Sequence, residues 1–471
     1  MKKPDRHHVS SSPVDSRLGE RASTGGGAVP IAAIATASGP AGVCVIRVSG
    51  EGAFEIADNL APCAVPFRER PGGTFCRAGF HHPLTHEKID DGLVLVFHAP
   101  RSFTGEDVVE FHGHGGAVPS RRLLAAVLAA GARLAEPGEF SKRAFLNGRM
   151  DLTQAEAICD FIQAKTDRMA HVAYAQLDGA LGTRINRLYE DMTAHCADIE
   201  HQLDFDDGEL PPSFVRDTAT AIRETHAQVQ RMIESWDTGG HVLRDGALVV
   251  ISGKPNAGKS SLLNALLGRN RAIVHDAPGT TRDAIEEGFA LEGVPLRLVD
   301  TAGLRDATDA VEQEGISRTR GLMRQADVNL YLMDGTAHET PPHGLDPARA
   351  IIVFTKNDLA ALPVAGRAVP FDAVAVSSKT GEGFDRLGKL ILDKLGVESE
   401  QDSAAVVNAR HAGELRTAHE AAAHALETIA GDLVITASHL REAAEALGRI
   451  VGRCYADDLL DAVFSRFCVG K

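Results

Sequence analysis

Residues 253–260 read Gly-Lys-Pro-Asn-Ala-Gly-Lys-Ser, a complete G-x-x-x-x-G-K-S pattern. An apolar, β-branched run, Ala247 to Ile251, precedes it, and a helix-like run, Ser261 to Leu267, follows it. That strand–loop–helix order aims successive backbone N–H groups and a helix N-terminus at a polyphosphate. In such a loop Lys259 reaches the β- and γ-phosphates and the Ser260 hydroxyl ligates Mg²⁺. Asn256, Ala257, Gly258 and Ser261 complete the cradle. A chance Gly-rich turn would need eight residues and both flanks to coincide.

Further segments address which nucleotide is bound. Asp300-Thr301-Ala302-Gly303 follows the apolar run Pro295 to Val299, where a second Mg²⁺-associated carboxylate and a γ-phosphate-sensing glycine are needed. Pro278-Gly279-Thr280-Thr281-Arg282-Asp283 lies between the two motifs. A threonine there can close over Mg²⁺ when a γ-phosphate is present and release after hydrolysis. Thr355-Lys356-Asn357-Asp358 follows the run Ala350 to Phe354. A carboxylate at Asp358 accepts hydrogen bonds from N1–H and the exocyclic amine of guanine. Adenine offers neither donor there, so GTP is selected. Ser377-Ser378-Lys379 is placed to cover the base.

In order and spacing these segments resemble the five nucleotide motifs of the Ras-like GTPase superfamily. Two departures stand out. The fourth motif usually begins with Asn and here begins with Thr355, which keeps a side-chain hydrogen bond. Leu304 follows Gly303 where Ras-type enzymes carry a water-orienting Gln. Leucine cannot orient water, so another group must do so or hydrolysis is slow. No arginine finger is evident either. A cation between the α- and γ-phosphates can supply that charge, and Asn256 offers it a side-chain oxygen.

The elements that must position these residues alternate along 246–398. Strand candidates at 247–252, 295–300, 328–334, 350–354 and 373–377 imply a parallel sheet with helices on both faces. Residues 149–245 read as helical: Thr153-Gln-Ala-Glu156 fits a capping box, and Ile158, Phe161, Ile162 and Lys165 continue at helical spacing. That pattern breaks near Asp206 to Pro212. Residues 399–471 are helical again, with Leu447, Ile450, Val451 and Cys454 on one face and Leu460, Val463, Phe464 and Phe467 on another. An α/β module bracketed by two helical stretches suggests an insertion into a single bundle. Residues 29–148 mix short β-like runs, such as Val43 to Val48 and Leu93 to Phe97, with a helix candidate at Leu123 to Ala130. The expected class is therefore multidomain α/β, with an N-terminal α/β domain, a discontinuous helical domain and an inserted nucleotide domain.

Bulk properties agree. The 471 residues suggest about three domains. A net charge of -15 argues against autonomous nucleic-acid binding, because Lys and Arg supply most of that affinity. Seven scattered cysteines without a C-x-x-C pair indicate neither zinc nor a disulfide framework and suit a reducing cytoplasm. No apolar run is long enough to cross a bilayer. Residues 1–28 are polar and lack an apolar signal core, so they are expected to be a disordered tail. His81, His82, His86, His112 and His114 have no accompanying ligand constellation and are read as satisfied or exposed side chains.

Other segments carry a more specific resemblance. Ser102-Phe-Thr-Gly-Glu-Asp107, Gly113-His-Gly-Gly116, Pro137-Gly-Glu-Phe-Ser141, Arg143-Ala-Phe-Leu-Asn147, Asp151-Leu-Thr-Gln-Ala-Glu-Ala157 and the C-terminal Phe467-Cys-Val-Gly-Lys471 resemble the MnmE (TrmE) family of tRNA-modification GTPases. The resemblance runs from about residue 30 to the end. It implies a homodimer that works with a flavoprotein partner, MnmG, which holds FAD. It implies aminomethyl-type modification of C5 of wobble uridine in certain tRNAs, with a 5-formyltetrahydrofolate-derived carbon. It implies K⁺ bound by Asn256 and by His275, Ala277 and Thr280, GTP contacts from the same segment including Asp276, and Mg²⁺ bound by Ser260 and Thr281. Where the family more often has Thr, this chain has His275, which changes nothing if only its carbonyl is used.

The resemblance also makes Glu312 the water-orienting group; spacing alone would leave it a helix-surface acid. Folate positions carry over to Arg47, Glu110, Arg149 and Lys471. A carboxylate such as Glu110 accepts from a pterin's donor edge, and Arg or Lys pairs with the glutamyl tail. Position 149 is Arg where Lys is frequent. Cys468 is either a nucleophile or acid–base group near the folate, or a small buried residue. A regulatory switch that uses GTP in RNA or ribosome assembly, without folate chemistry, is the alternative reading of the same nucleotide motifs.

Overall fold

The computed structural model describes residues 29–37, 39–205, 212–269, 271–273, 286–300, 321–337, 340–342, 344–359, 370–397 and 408–470. These fall into two units, one ending at Asn147 and joined by Cys468 onward, the other Gly148–Phe467.

In the first unit, β1 (Ile31–Ile34), β2 (Val43–Ser49), β3 (Thr74–His81), β4 (Lys88–Phe97), β5 (Val108–His114) and β6 (Arg133–Leu134) form a sheet of order β3-β4-β5-β2-β1-β6. The β1–β6 pair is parallel and the other neighbours are antiparallel. Period-two alternation sorts β2 between two faces. Ile46 and Val48 point into a core with Phe54, Phe80, Phe111 and Leu123, under helices α1 (Ala53–Leu60) and α2 (Ala117–Ala129). The opposite face carries Arg47 and a small cluster of Ile31, Ala33, Ala135 and Phe140, the last on α3 (Glu139–Leu146). The chain's end is tied to this unit. Pro137 bridges to Val469, and the Gly138 N–H donates to the Cys468 carbonyl at 3.4 Å. Gly470 adopts φ +100°, and a Cβ there would lie 2.4 Å from the Ile34 carbonyl oxygen.

The second unit contains a helical core and a sheet core. Helix α4 (Leu152–Gln163) begins two residues earlier than its capping-box pattern suggests. Asp151 is the cap: its side chain accepts from the Gln154 N–H, and Gln154 reaches back to the Asp151 N–H. Thr153 is buried and donates to Asp151 at 2.6 Å. Helices α5 (Asp167–Leu177), α6 (Ala180–Phe205), α7 (Pro212–Ser235) and α8 (His241–Asp245) follow. The expected break after α6 lies outside the described residues. Leu181, Ile185 and Met192 of α6 and Ile222 and Val229 of α7 share one core with residues far along the chain. Those partners are Leu415 and Ala422 of α11 (Ala409–Thr428) and Leu440 and Leu447 of α12 (Leu433–Val451). The helical stretches before and after the α/β module therefore pack as one body.

That module contains β7 (Ala247–Gly253), α9 (Lys259–Arg269), β8 (Arg271–Ile273), β9 (Glu286–Leu291), β10 (Val294–Asp300), β11 (Val328–Asp334), β12 (Ala350–Thr355), β13 (Asp372–Ala375) and α10 (Phe384–Lys394). Its strand order is β13-β12-β11-β7-β10-β9-β8. The first five in that order are parallel, as the alternation predicts. The sheet is nevertheless mixed, because β9 and β8 add an antiparallel edge. The cause is a tight hairpin: Glu292 (φ 48°) and Gly293 (φ 81°) are consecutive positive-φ residues, as a type I′ turn requires. Leu262 and Leu266 of α9 and Leu387 and Ile391 of α10 cover one face of the sheet.

Candidate functional site

In the α/β module the motif-bearing segments leave one edge of the sheet. Parallel register puts Asp300 beside Ile251, and Asp334 beside Thr355, so the carboxyl ends of β7, β10, β11 and β12 lie together. Ligands of open α/β sheets bind at that edge, where strand order switches direction. Here the switch is at β7, flanked by β10 and β11.

Glycines shape the cradle after β7. Gly253 has φ +145°, and a Cβ there would stand 2.5 Å from the Leu332 carbonyl oxygen, so no other residue fits. Asn256 takes a left-handed φ of 61°, which Asn tolerates better than most residues, and is exposed. Lys259 begins α9, is buried, and donates to the carbonyls of Gly253 at 3.1 Å and Lys254 at 2.8 Å. Its cation is thereby held against the loop's own carbonyls. Ser260 and Ser261 are exposed on the first turn of that helix.

Thr355, which replaces the usual Asn, is buried and ties two segments together. Its hydroxyl bonds the Ala257 carbonyl at 2.8 Å and the Met333 carbonyl at 3.3 Å. A Cβ added at Gly258 would lie 3.7 Å from the Thr355 side chain. The segment after β12 is thus fastened directly to the loop after β7. Lys356, at φ 60°, pairs with Asp334 at 2.6 Å. Its hydrogen bond, with two more from Thr336, pushes the Asp334 carboxyl down to about 2. Asp358 is exposed, and the buried Ser377 hydroxyl donates to its Oδ1 at 2.8 Å. That bond fixes the plane of the carboxylate expected to read guanine. Ser378 is half-buried and Lys379 exposed.

A second constellation lies on the open face of the first unit's sheet. Arg47 and Glu110 are direct cross-strand partners of β2 and β5, and Arg47 Nε donates to Glu110 Oε1 at 2.8 Å. His112 Nε2 lies 3.2 Å from the other Glu110 oxygen. The Arg47 guanidinium sits over the Phe103 and Phe140 rings, 5.2 and 5.8 Å from their centroids. The N-terminal sequence motifs form the scaffold beside it. Ser49 bonds Thr104 at 2.6 Å and Glu106 at 2.7 Å, and Arg143 joins Glu106 to Glu139. Asn147 donates to the Thr104 carbonyl at 2.8 Å. Burial works against the Glu139 charge, but Arg133 and Arg143 hold its carboxyl below the usual range. The Cys468 side chain is exposed, which removes its reading as a small core residue. Arg149 is exposed in the other unit.

Family comparisons match this architecture in the same order. The "GTP-binding protein TrmE N-terminus" model matches residues 30–149, and the "MnmE helical domain" model matches 152–468. The chain is 42% identical over 468 residues to the tRNA modification GTPase MnmE of Heliobacterium modesticaldum, covering 94% of this chain and 99% of that one. It is 42% identical over 463 residues to the protein of that name from Symbiobacterium thermophilum, and 40% over 458 residues to that from Geobacter metallireducens. The chain belongs to the MnmE family. The helical-domain match spans both helical stretches and the module between them, as the shared helical core requires.

Several expected site residues lie outside the described residues: His275, Asp276, Ala277, Pro278, Gly279, Thr280, Thr281, Thr301, Ala302, Gly303, Glu312 and Lys471. Sequence reasoning missed the Lys356–Asp334 brace. Its signal was available, since an acid at the end of β11 faces the cation at the end of β12 whenever those strands are parallel neighbours.

Proposed function

We propose that this chain is a GTP hydrolase that modifies the wobble uridine of certain tRNAs. The supporting observation is the phosphate cradle at the switch point, pinned by Thr355 to an oriented Asp358, in a chain matched along 94% of its length by MnmE relatives. In this reading Lys259 exchanges its loop carbonyls for phosphate oxygens, and Ser260 with Thr281 holds Mg²⁺. Asn256, with oxygens from His275, Ala277 and Thr280, holds the K⁺ that stimulates hydrolysis. Glu312 orients the attacking water in place of the glutamine that Leu304 replaces.

The fuller activity is addition of a carboxymethylaminomethyl or aminomethyl group to C5 of uridine, as a homodimer with an MnmG-like FAD protein in the cytoplasm. A 5-formyltetrahydrofolate supplies the one-carbon unit. Glu110 accepts from the pterin edge, and Arg47, Arg149 and Lys471 meet its carboxylates, with Cys468 beside it as an exposed thiol. The cross-strand placement of Arg47 and Glu110 supports this assignment. The accompanying domain reading is a 1–28 tail, a 29–148 folate-binding and dimerisation domain, helical parts 149–245 and 399–471, and a 246–398 GTPase domain.

Nucleoside analysis of tRNA from cells lacking the protein tests the proposal. Loss of the modified uridine, restored by the wild-type chain and not by Glu312→Ala, is the expected outcome. Unchanged nucleosides in the null strain would refute it.

A further inference from the structure

Away from the nucleotide edge, a cavity of about 380 Å³ opens between α4–α5 and the β9–β10 hairpin. It reaches β10 at Pro295, Leu296 and Arg297, the end opposite Asp300, and so is distinct from the phosphate cradle. Its volume lies within the range of small-molecule sites.

The charge of its lining is one-sided. Lys165, Arg244, Arg297 and Arg466 contribute cations, and Asp160 is the one acidic residue of the described lining. Arg244 grips Asp160 through two hydrogen bonds, Nε to Oδ2 at 2.8 Å and Nη2 to Oδ1 at 3.0 Å. That pair is three-quarters shielded from solvent, so the guanidinium is held in a fixed orientation. The Cys159 thiol lies 3.9 Å from the Arg466 carbonyl oxygen, which ties the Arg466 backbone to α4. Like charges facing one partly enclosed volume focus a positive potential there. The remaining wall is aliphatic, from Met169, Val172, Leu243 and Leu296.

We propose that this cavity binds a small phosphate-bearing metabolite. The guanidinium forks of Arg297 and Arg466 suit the oxygens of a phosphate group better than a point charge would. The aliphatic wall takes the uncharged body of the ligand. A concave site of this size fits a small molecule rather than an extended nucleic-acid backbone, and the chain's net charge of -15 opposes the latter. One wall belongs to the helical core and the other to the α/β module, so an occupant bridges the two. The inference stands independently of the proposed tRNA chemistry.

The test uses the full chain saturated with GDP and Mg²⁺, so that the nucleotide site is filled. Adenosine 5′-monophosphate, glucose 6-phosphate and citrate are titrated in by calorimetry, and alkylation of Cys159 is followed by peptide mass spectrometry. The expected result is saturable binding of at least one phosphate ester, with slowed Cys159 alkylation. An Arg297→Gln/Arg466→Gln double variant that keeps wild-type GDP affinity should bind it about tenfold or more weakly, with partial recovery in the Arg→Lys pair. Absence of binding by both phosphate esters overturns the proposal. So does binding that the double variant leaves unchanged, or binding of citrate alone.

Discussion

Replacing Thr355 by valine removes one hydroxyl from a buried site while keeping its shape. The hydroxyl bonds the Ala257 carbonyl of the phosphate loop at 2.8 Å, with a longer contact to Met333 at 3.3 Å. The side chain is 3% exposed, so water cannot replace the donor. Leaving a buried acceptor without its partner costs about 1–2 kcal/mol. Because the carbonyl belongs to the phosphate loop, most of that cost should appear in nucleotide binding. It corresponds to a roughly 5- to 30-fold loss of GDP affinity. Fluorescent-GDP titration measures it directly. Thr355→Ser keeps the hydroxyl and should retain most of the affinity. Wild-type affinity in Thr355→Val would refute the argument that this residue fastens base recognition to the loop.

Gly253→Ala should abolish GDP binding in the same titration while the helical core stays folded by circular dichroism, because its Cβ would meet the Leu332 carbonyl at 2.5 Å. Glu156→Gln should lower stability in urea by about 3 kcal/mol, since it uncouples the two-pronged Arg410 contacts at 2.9 and 2.8 Å and the buried His411. Burial opposes the Glu156 charge, yet His411 and Arg410 hold that carboxyl below its ordinary range. The Asp334 carboxyl, also depressed, stabilises the fold above its unfolded pKa of about 4 and loses that contribution as pH falls toward its folded value of about 2. The urea midpoints of wild type and Asp334→Asn should therefore differ by a constant amount near neutral pH and converge in acid.

The phosphate loop was legible because its chemistry is local: eight consecutive residues and their flanks carry it. The same holds for the five parallel strands, whose apolar runs are short and bounded. What failed depended on distance or on subtler turns. The β9–β10 hairpin turns on Glu292-Gly293, which lacks the usual Asn-Gly signal, so an antiparallel edge went unseen. Thr153 and Glu156 mimic a capping box, but Glu156 is drawn away by Arg410, 254 residues later. Phe161 and Ile162 sit at helical spacing but are 43% and 47% exposed, because spacing does not say which face meets the core. Arg47 and Glu110 are 63 residues apart, and only the β2–β5 register places them side by side.

We propose that guanine selectivity resides in Asp358, whose carboxylate the Ser377 hydroxyl holds at 2.8 Å. The most direct measurement is nucleoside-diphosphate affinity for wild type and Asp358→Asn. Wild type should bind GDP far more tightly than ADP or xanthosine diphosphate. The variant should lose GDP and gain xanthosine diphosphate, because an Asn amide can donate to the oxygen that replaces the guanine amine. GDP binding unaffected by Asp358→Asn, or equal wild-type affinity for ADP and GDP, would contradict the account.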